Sequence, residues 1–302
     1  MRIVVALGGN ALSRRGEVLT AEGQRASIRV AAKSLAGLLA AGHEVVITHG
    51  NGPQVGYLAL QDGTFPLDVL GAETDGMIGY VLQQELDNAY APETKYATLL
   101  TQIEVDPEDP AFRAPSKFIG PIYTQADAAK LSAERGWTIA KDGAHFRRTV
   151  PSPRPRRILE LDVINLLLEQ KVVVICAGGG GIPVLQKPDG TMIGVEAVID
   201  KDHASGLLAH KLNADAFLML TDVEGVFENW GTPDQAIIRQ ATPDALEHMS
   251  FPAGSMGPKV DAACDFARAT GGFAAIGRLT DCMALVEGST GTRITLAMRG
   301  SD

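Results

Sequence analysis

Uninterrupted apolar runs recur along this chain, and each ends in glycine or in a charged helix start. Continuous rather than alternating hydrophobicity marks strands buried on both faces. IVVAL runs into Gly8-Gly9-Asn10, VVITH into Gly50-Asn51-Gly52, and VVVICA into Gly178-Gly179-Gly180-Gly181. VEAVI runs into Asp200-Lys201-Asp202 and FLMLT into Asp222, while Gly254-Ser255-Met256-Gly257-Pro258-Lys259 opens a helix with no strand directly before it. Residues 2–7, 44–48, 97–105, 172–177 and 216–221 read as strands. Helical spacing falls between them. Thr20 suits the cap of a helix through Leu35, Leu38 and Leu39 that ends at Gly42, and Pro53 suits a first helical turn. Residues 75–90 place Ile78, Leu82 and Leu86 on one face, and 158–169, 201–212 and 260–269 read as further helices. Pro188-Asp189-Gly190 marks a hairpin turn. This alternation predicts an α/β fold, a three-layer αβα sandwich around a mainly parallel sheet.

The pattern dissolves between 106 and 157, where Pro107, Pro110, Pro115, Pro121, Pro151 and Pro153 precede Pro155. A stretch of that length is too long for a simple connection. It reads as an inserted lid subdomain, irregular apart from short elements of its own.

At 302 residues, 45% hydrophobic and 21% charged, the chain has ample material for a core. A net charge of −9 argues against a nucleic-acid surface, and Pro153–Arg157, the densest basic run, reads as a solvated turn. Cys176, Cys264 and Cys282 lack metal-ligand spacing and fit small core residues of a reduced, cytoplasmic protein. No run approaches the length of a membrane span.

Glycines at strand ends free backbone N–H groups for a ligand, and a helix start adds its positive dipole end. Two of these junctions also carry a lysine. With Asp200 as N-cap, Lys201 falls in the first helical turn, and with Pro258 at the first helical position Lys259 falls at about the second. A cation there opposes the helix dipole by about 0.3–1 kcal/mol at an exposed site. Each lysine alone can extend into water; the two together, beside glycine loops, point to a bound anion. Asp202 either complements the dipole or holds the lysine ammonium groups in place. Gly8-Gly9 and Gly50-Asn51 each suit a tight turn, but on one carboxyl edge they make a cradle for an anion. His49, flanking a glycine turn, reads as a structural hydrogen-bonding residue. No GxxxxGK[ST] loop is present, GNGPQVG matches dinucleotide-binding loops only weakly, and no HExxH, GxSxG or Cys/His cluster supports hydrolytic or zinc chemistry.

Assembled in order, VVALGGNAL (4–12), HGNGPQVG (49–56), PSKFIGP (115–121), VPSPRP (150–155), CAGGGGIPV (176–184), GVEAVIDKDHAS (194–205), LTDVEGV (220–226) and GSMGPK (254–259) resemble the carbamate kinases, a branch of the amino-acid-kinase family. LTDVEGV departs toward the wording of acetylglutamate and uridylate kinases. The resemblance implies phosphoryl transfer between carbamoyl phosphate and ADP, giving ATP and carbamate, with a place in arginine catabolism. By motif position, Lys201 and Lys259 would stabilise the transferring phosphoryl group and Asp202 would organise them. Lys117, which by itself reads as a solvated loop residue, would reach the same group from the lid. Gly8, Gly9, Asn10, Gly50 and Asn51 would bind carbamoyl phosphate through N–H groups. Gly179, Gly180, Thr221, Asp222, Met256 and Gly257 would meet the nucleotide, whose phosphates would carry Mg²⁺ with no protein metal site. The resemblance also implies a homodimer and two lobes, 1–199 on the acyl-phosphate side with the lid at 106–157, and 200–302 on the nucleotide side.

Three other readings compete. A kinase for another small carboxylate acceptor would want a basic residue at the GNGPQVG helix start, which has none. A dinucleotide-dependent oxidoreductase leaves both helix-start lysines unexplained. A metabolite sensor has no need of a clamp of fixed charges.

Overall fold

The computed structural model describes residues 1–12, 20–61, 65–252 and 255–296, with the side chains of Asn10 and Ala11 outside that description. In chain order, the first half runs β1 (Arg2–Leu7), α1 (Gly9–Leu12), α2 (Ala21–Ala40), β2 (Glu44–His49), α3 (Gly52–Gln61), α4 (Leu67–Ala89), β3 (Tyr96–Thr98) and β4 (Gln102–Val105). The intervening segment holds β5 (Lys117–Tyr123), α5 (Gln125–Arg135), β6 (Ile139–Asp142), β7 (His145–Val150) and β8 (Pro155–Ile158). Then follow α6 (Leu161–Glu169), β9 (Val173–Ile175), β10 (Ile182–Gln186), β11 (Met192–Gly194), α7 (Lys201–Lys211), β12 (Ala216–Thr221) and three two-residue strands, β13 (Phe227–Glu228), β14 (Ala236–Ile237) and β15 (Gln240–Ala241). The chain closes with α8 (Pro243–Glu247), α9 (Met256–Thr270), β16 (Phe273–Arg278), α10 (Cys282–Glu287) and β17 (Thr292–Ile294).

Eight strands form the main sheet in the order β15-β17-β16-β12-β1-β2-β9-β3. Every ladder in it is parallel except β16 with β17. Successive side chains of a strand point to opposite faces, so each apolar run feeds two cores. Ile3, Val5 and Leu7 face a core shared with Ile28, Leu35 and Leu38 of α2, Ile78 and Leu82 of α4, and Leu285 of α10. Val4 and Ala6 face the other, with Leu208 of α7, Ile164 of α6 and Phe266 of α9. The predicted three-layer sandwich is what the chain adopts. Leu7 lies in register with His49 on one side and Leu220 on the other, so the loops after β1, β2 and β12 emerge together on one edge.

Thr20 caps α2 by accepting from the Gly23 N–H at 3.1 Å, and the hairpin at Pro188-Asp189-Gly190 joins β10 to β11. Several elements differ from the pattern reading. The helix expected at 75–90 starts eight residues earlier, at Leu67, whose N–H donates to Glu196. The single strand expected at 97–105 is two. At Thr101 the backbone carbonyl and hydroxyl accept from Ile182 and Ala177, which ends β3 in the main sheet and sends β4 into a second sheet, β11-β10-β4-β8. VEAVI forms no ladder, because Val195 and Val198 donate singly to Pro183 and Pro151. The basic run 153–157 is not simply a turn either: Pro155–Ile158 pairs with β4, and Arg157 lies 2.7 Å from Glu104. The proline-rich segment is more regular than expected, an antiparallel sheet β5-β7-β6 with α5 beside it. It seats on α3 through Val55, Ala59, Ile119 and Val150. No described helix is long and apolar enough to cross a membrane.

Candidate active site

On the shared edge lies a cleft of about 440 Å³, walled by the main sheet's loops, the starts of α7 and α9, and β5. Its charged wall begins at Asp200. As N-cap of α7, Asp200 accepts through Oδ1 from the N–H of Asp202 at 2.8 Å and of His203 at 3.4 Å. That fixes Lys201 as the first helical residue. A second tie holds the turn to the sheet: the Ser205 hydroxyl donates to the Lys201 carbonyl at 2.6 Å. With its one hydrogen committed there, Ser205 accepts from Thr48 of β2, also at 2.6 Å.

Asp202 bridges the two predicted lysines. Lys201 Nζ donates to Oδ1 at 2.7 Å and Lys259 Nζ to Oδ2 at 2.8 Å. Burial by itself would raise the Asp202 carboxyl, but the two ammonium groups outweigh it and hold the acid well below the usual range. Burial lowers Lys201, with the nearby Lys259 adding to the effect and Asp202 opposing it. For Lys259, burial pulls downward, but contact with Asp202 holds it above its ordinary value. Contact with Asp202 thus favours the charged form of both lysines, against burial that opposes it. Lys259 sits deeper in its helix than the pattern placed it. Helix α9 begins at Met256, so Pro258 is its third residue and Lys259 its fourth. The Gly254 of that junction lies outside the described residues.

Lys117 opens strand β5, where the pattern alone placed a solvated loop residue, and its ammonium group pairs with Asp200 Oδ2. Burial raises Asp200, but Lys117 outweighs it and keeps the acid below its ordinary value. Three lysines from three separate elements thus converge on two neighbouring aspartates.

The glycine loops are arranged differently from expectation. Gly8 donates its N–H to Leu220 O at 2.8 Å and Gly50 donates to Leu7 O at 3.0 Å, so neither amide is offered to a ligand. Both are tight βα turns. The N–H groups that open a helix have no intrahelical acceptor, and here these belong to Gly9 at the start of α1 and Gly52 at the start of α3. Asn51 lines the cleft, and its side chain donates to Thr74 Oγ1 at 2.8 Å. The side chain of Asn10 lies outside the described residues. Gly179, expected beside the nucleotide, lines the cleft and packs on Asn51: a Cβ there would fall 2.1 Å from Asn51 Nδ2. Gly180 lies behind it, against Ile199 O.

Thr221, Asp222 and Met256 line the same cleft, with Thr221 donating to Asp222 at 3.0 Å. Gly257 turns away and donates its N–H to Pro252 O at 3.0 Å. Pattern reasoning missed the apolar wall here, made by Phe227, Trp230 and Phe251, with the rings of Phe227 and Trp230 centred 5.1 Å apart. It also missed Asp200 as the partner of Lys117; only its capping role was legible. His49 is buried away from the cleft, as its structural reading required.

Comparison with known proteins places the chain in a family. The Amino acid kinase family profile matches residues 1–275. The carbamate kinase of Haemophilus influenzae is 54% identical over 306 aligned positions, covering 99% of this chain and 98% of its own. That of Pyrococcus furiosus is 44% identical, covering 97% and 98%. Among solved structures, carbamate kinase from Giardia lamblia bound to AMP-PNP superposes with a TM-score of 0.88 at 39% identity, covering 97% of this chain and 98% of its own. With a matching profile over most of its length, close relatives end to end and the same fold, the chain belongs to the carbamate kinases of the amino acid kinase family.

Proposed function

We propose that the chain catalyses reversible phosphoryl transfer between carbamoyl phosphate and ADP. The bond between phosphorus and the carbamoyl oxygen breaks as a terminal oxygen of ADP bonds to phosphorus. ATP and carbamate leave, and carbamate decomposes to ammonia and carbon dioxide. The observation that carries the reading is the Asp202 bridge, which holds two lysines 2.7 and 2.8 Å from one carboxylate at a cleft. The transition state of phosphoryl transfer spreads negative charge over the equatorial oxygens. Fixed cations in a site closed to water stabilise it without reorganising.

In this reading Lys201 and Lys259 receive the transferring group and Asp202 keeps them apart and oriented. The segment 106–157 acts as a lid, with Lys117 delivered to the same phosphoryl group. Residues 1–199 bind the acyl phosphate, with Gly9, Gly52 and Asn51 supplying the polar contacts. Residues 200–302 bind the nucleotide, with Phe227 and Trp230 beside the base and Thr221, Asp222 and Met256 near the ribose and phosphates. Mg²⁺ would add charge neutralisation on the nucleotide phosphates. The donor set fits an ion carried that way, since the oxygens of Asp200 and Asp202 are already held by lysines and backbone N–H groups. Three free, buried thiols fit a reducing compartment such as the cytoplasm.

The test is ATP formation from ADP, Mg²⁺ and carbamoyl phosphate by the wild type, Lys201→Ala and Lys259→Ala. Loss of one charged donor should lower kcat about 10²–10³-fold, or about 3–4 kcal/mol. Wild-type turnover with both variants within tenfold would overturn the clamp. Absence of turnover with ADP still bound would favour another acceptor.

A further inference from the structure

Beneath the cradle lies an acid and base that the proposed reaction does not use. His49, the last residue of β2, and Asp75, from α4, are 1% and 3% exposed. Neither carboxylate oxygen of Asp75 has a hydrogen-bond partner among the described residues. Its contact is His49 Nε2, 3.6 Å from Oδ1. The other ring nitrogen, Nδ1, lies 3.4 Å from Gly50 O. A carbonyl only accepts, so Nδ1 carries a proton. Nε2 is then either a bare lone pair, which favours a protonated Asp75, or an imidazolium N–H facing a carboxylate. Each arrangement gives the pair one proton beyond that on Nδ1, at a separation of 3.6 Å that is longer than a hydrogen bond.

Three parts of the cradle meet at this pair. His49 leads directly into Gly50-Asn51. Thr74, next to Asp75, accepts the Asn51 side chain at 2.8 Å. Gly178, which opens the glycine loop, lies so close that a Cβ there would fall 1.5 Å from Asp75 Oδ1 and 2.4 Å from His49 Cε1. We propose that His49 and Asp75 are a positioning pair, buried in direct contact with each other, that sets the Gly50-Asn51 turn against the Gly178–Gly180 floor. The pair deepens the reading of the acyl-phosphate side given above and rests on it for the substrate.

Burial pushes Asp75 up to about 7 and His49 down to about 4. In the unfolded chain the carboxyl titrates near 3.9 and the imidazole near 6.5, roughly. Between these values the unfolded pair also holds one proton, on the histidine, so folding moves the proton across without changing the count. Above about pH 7 the folded pair loses it and a buried negative charge develops under the cradle. Other titratable groups facing the pair are Lys201 of α7, which bears on His49, and the Cys176 thiol after β9, which burial keeps protonated. The alkaline form should bind the anionic acyl phosphate less well and leave the nucleotide side alone.

The experiment compares the wild type with Asp75→Asn and Asp75→Ala between about pH 6 and pH 9, following KM for each substrate and kcat, and the ring signals of ¹³C-labelled histidine by NMR. Expected in the wild type are a rise in KM for carbamoyl phosphate above about pH 7, a flat KM for ADP, and a His49 signal that steps at the same pH. Asp75→Ala should raise KM for carbamoyl phosphate about tenfold or more, as misplacement of a binding group does. Asp75→Asn keeps a neutral N–H donor toward Nε2. It should restore KM at about pH 6 and abolish both the alkaline rise and the NMR step. An unchanged KM in Asp75→Ala, or an alkaline rise that persists in Asp75→Asn, would overturn the pair. If Asp75→Ala does not fold, Asp75→Asn and the wild-type titration decide alone. A wild type inactive on carbamoyl phosphate that still shows the NMR step would sink the substrate reading and leave the pair standing.

Discussion

Asp202 shows what a single side chain does for both fold and chemistry here. Two ammonium groups buried within a few ångströms repel each other, and only the carboxylate between them makes the arrangement tolerable. Removing one partner from a buried charge network costs about 3–5 kcal/mol, because the remaining charges are left uncompensated. Asp202→Asn should therefore lower stability by about 3 kcal/mol in urea unfolding as well as slowing turnover. The pH dependence has a definite sign. The carboxyl is held below its ordinary value in the fold. Its stabilisation is thus complete above the unfolded value, about 4, and declines as acid protonates it. The urea midpoint of the wild type should fall on going from about pH 5 to pH 2, with the fall reduced in Asp202→Asn. A wild-type midpoint flat over that range would remove Asp202 from the stability argument. At this scale the sequence was legible where the cause is local. Asp200 as a cap and Lys201 beside it follow from one helix start. The Asp200–Lys117 and His49–Asp75 contacts, 83 and 26 positions apart, follow from nothing local.

Among the elements, the sheet β5-β7-β6 and α3 approach closely between two glycines. A Cβ on Gly56 would fall 1.9 Å from Gly120 Cα and 2.0 Å from Gly120 N. Backbone cannot yield as a flexible side chain does, so Gly56→Ala must push β5 away from the helix. Overpacking of this kind costs about 1–3 kcal/mol. Because Lys117 lies on β5, the displacement also carries its ammonium group away from Asp200. The expected result is a lower melting temperature with KM for carbamoyl phosphate raised more than KM for ADP. An alanine variant with wild-type stability and kinetics would show that the sheet is not seated there. Both glycines stand in motifs visible in the sequence, GNGPQVG and PSKFIGP, but their mutual approach is not. The same limit explains the split of 97–105 and the missing ladder at VEAVI. An apolar run specifies burial, whereas the partner that ends or denies a ladder comes from elsewhere in the chain.

The whole molecule presents a groove along α4, a cavity of about 620 Å³ lined by Met77, Tyr80 and Leu100 together with Glu73, Gln83 and Asp87. Met77, Tyr80 and Leu100 are 38%, 59% and 50% exposed, and beside them runs β3, the last strand of the main sheet. An edge strand next to uncovered apolar side chains is suited to a second copy of the same chain, the homodimer implied by the family resemblance. If two copies associate through this face, Tyr80→Asp with Leu100→Asp should lower the mass measured by light scattering toward that of one chain. A wild type that is monomeric at all concentrations would end the proposal.

The sequence by itself determined the strands β1, β2, β9 and β12, the alternation of strand and helix outside 106–157, and the caps at Thr20 and Asp200, but not the buried strand β16. These depend on hydrophobic period and on hydrogen bonds spanning a few residues. Tertiary structure alone decided which glycine amides remain for a ligand, because Leu220 and Leu7 accept those of Gly8 and Gly50. It also decided that one carboxylate serves two lysines 58 positions apart, since sheet order, and not chain distance, sets which loops share an edge.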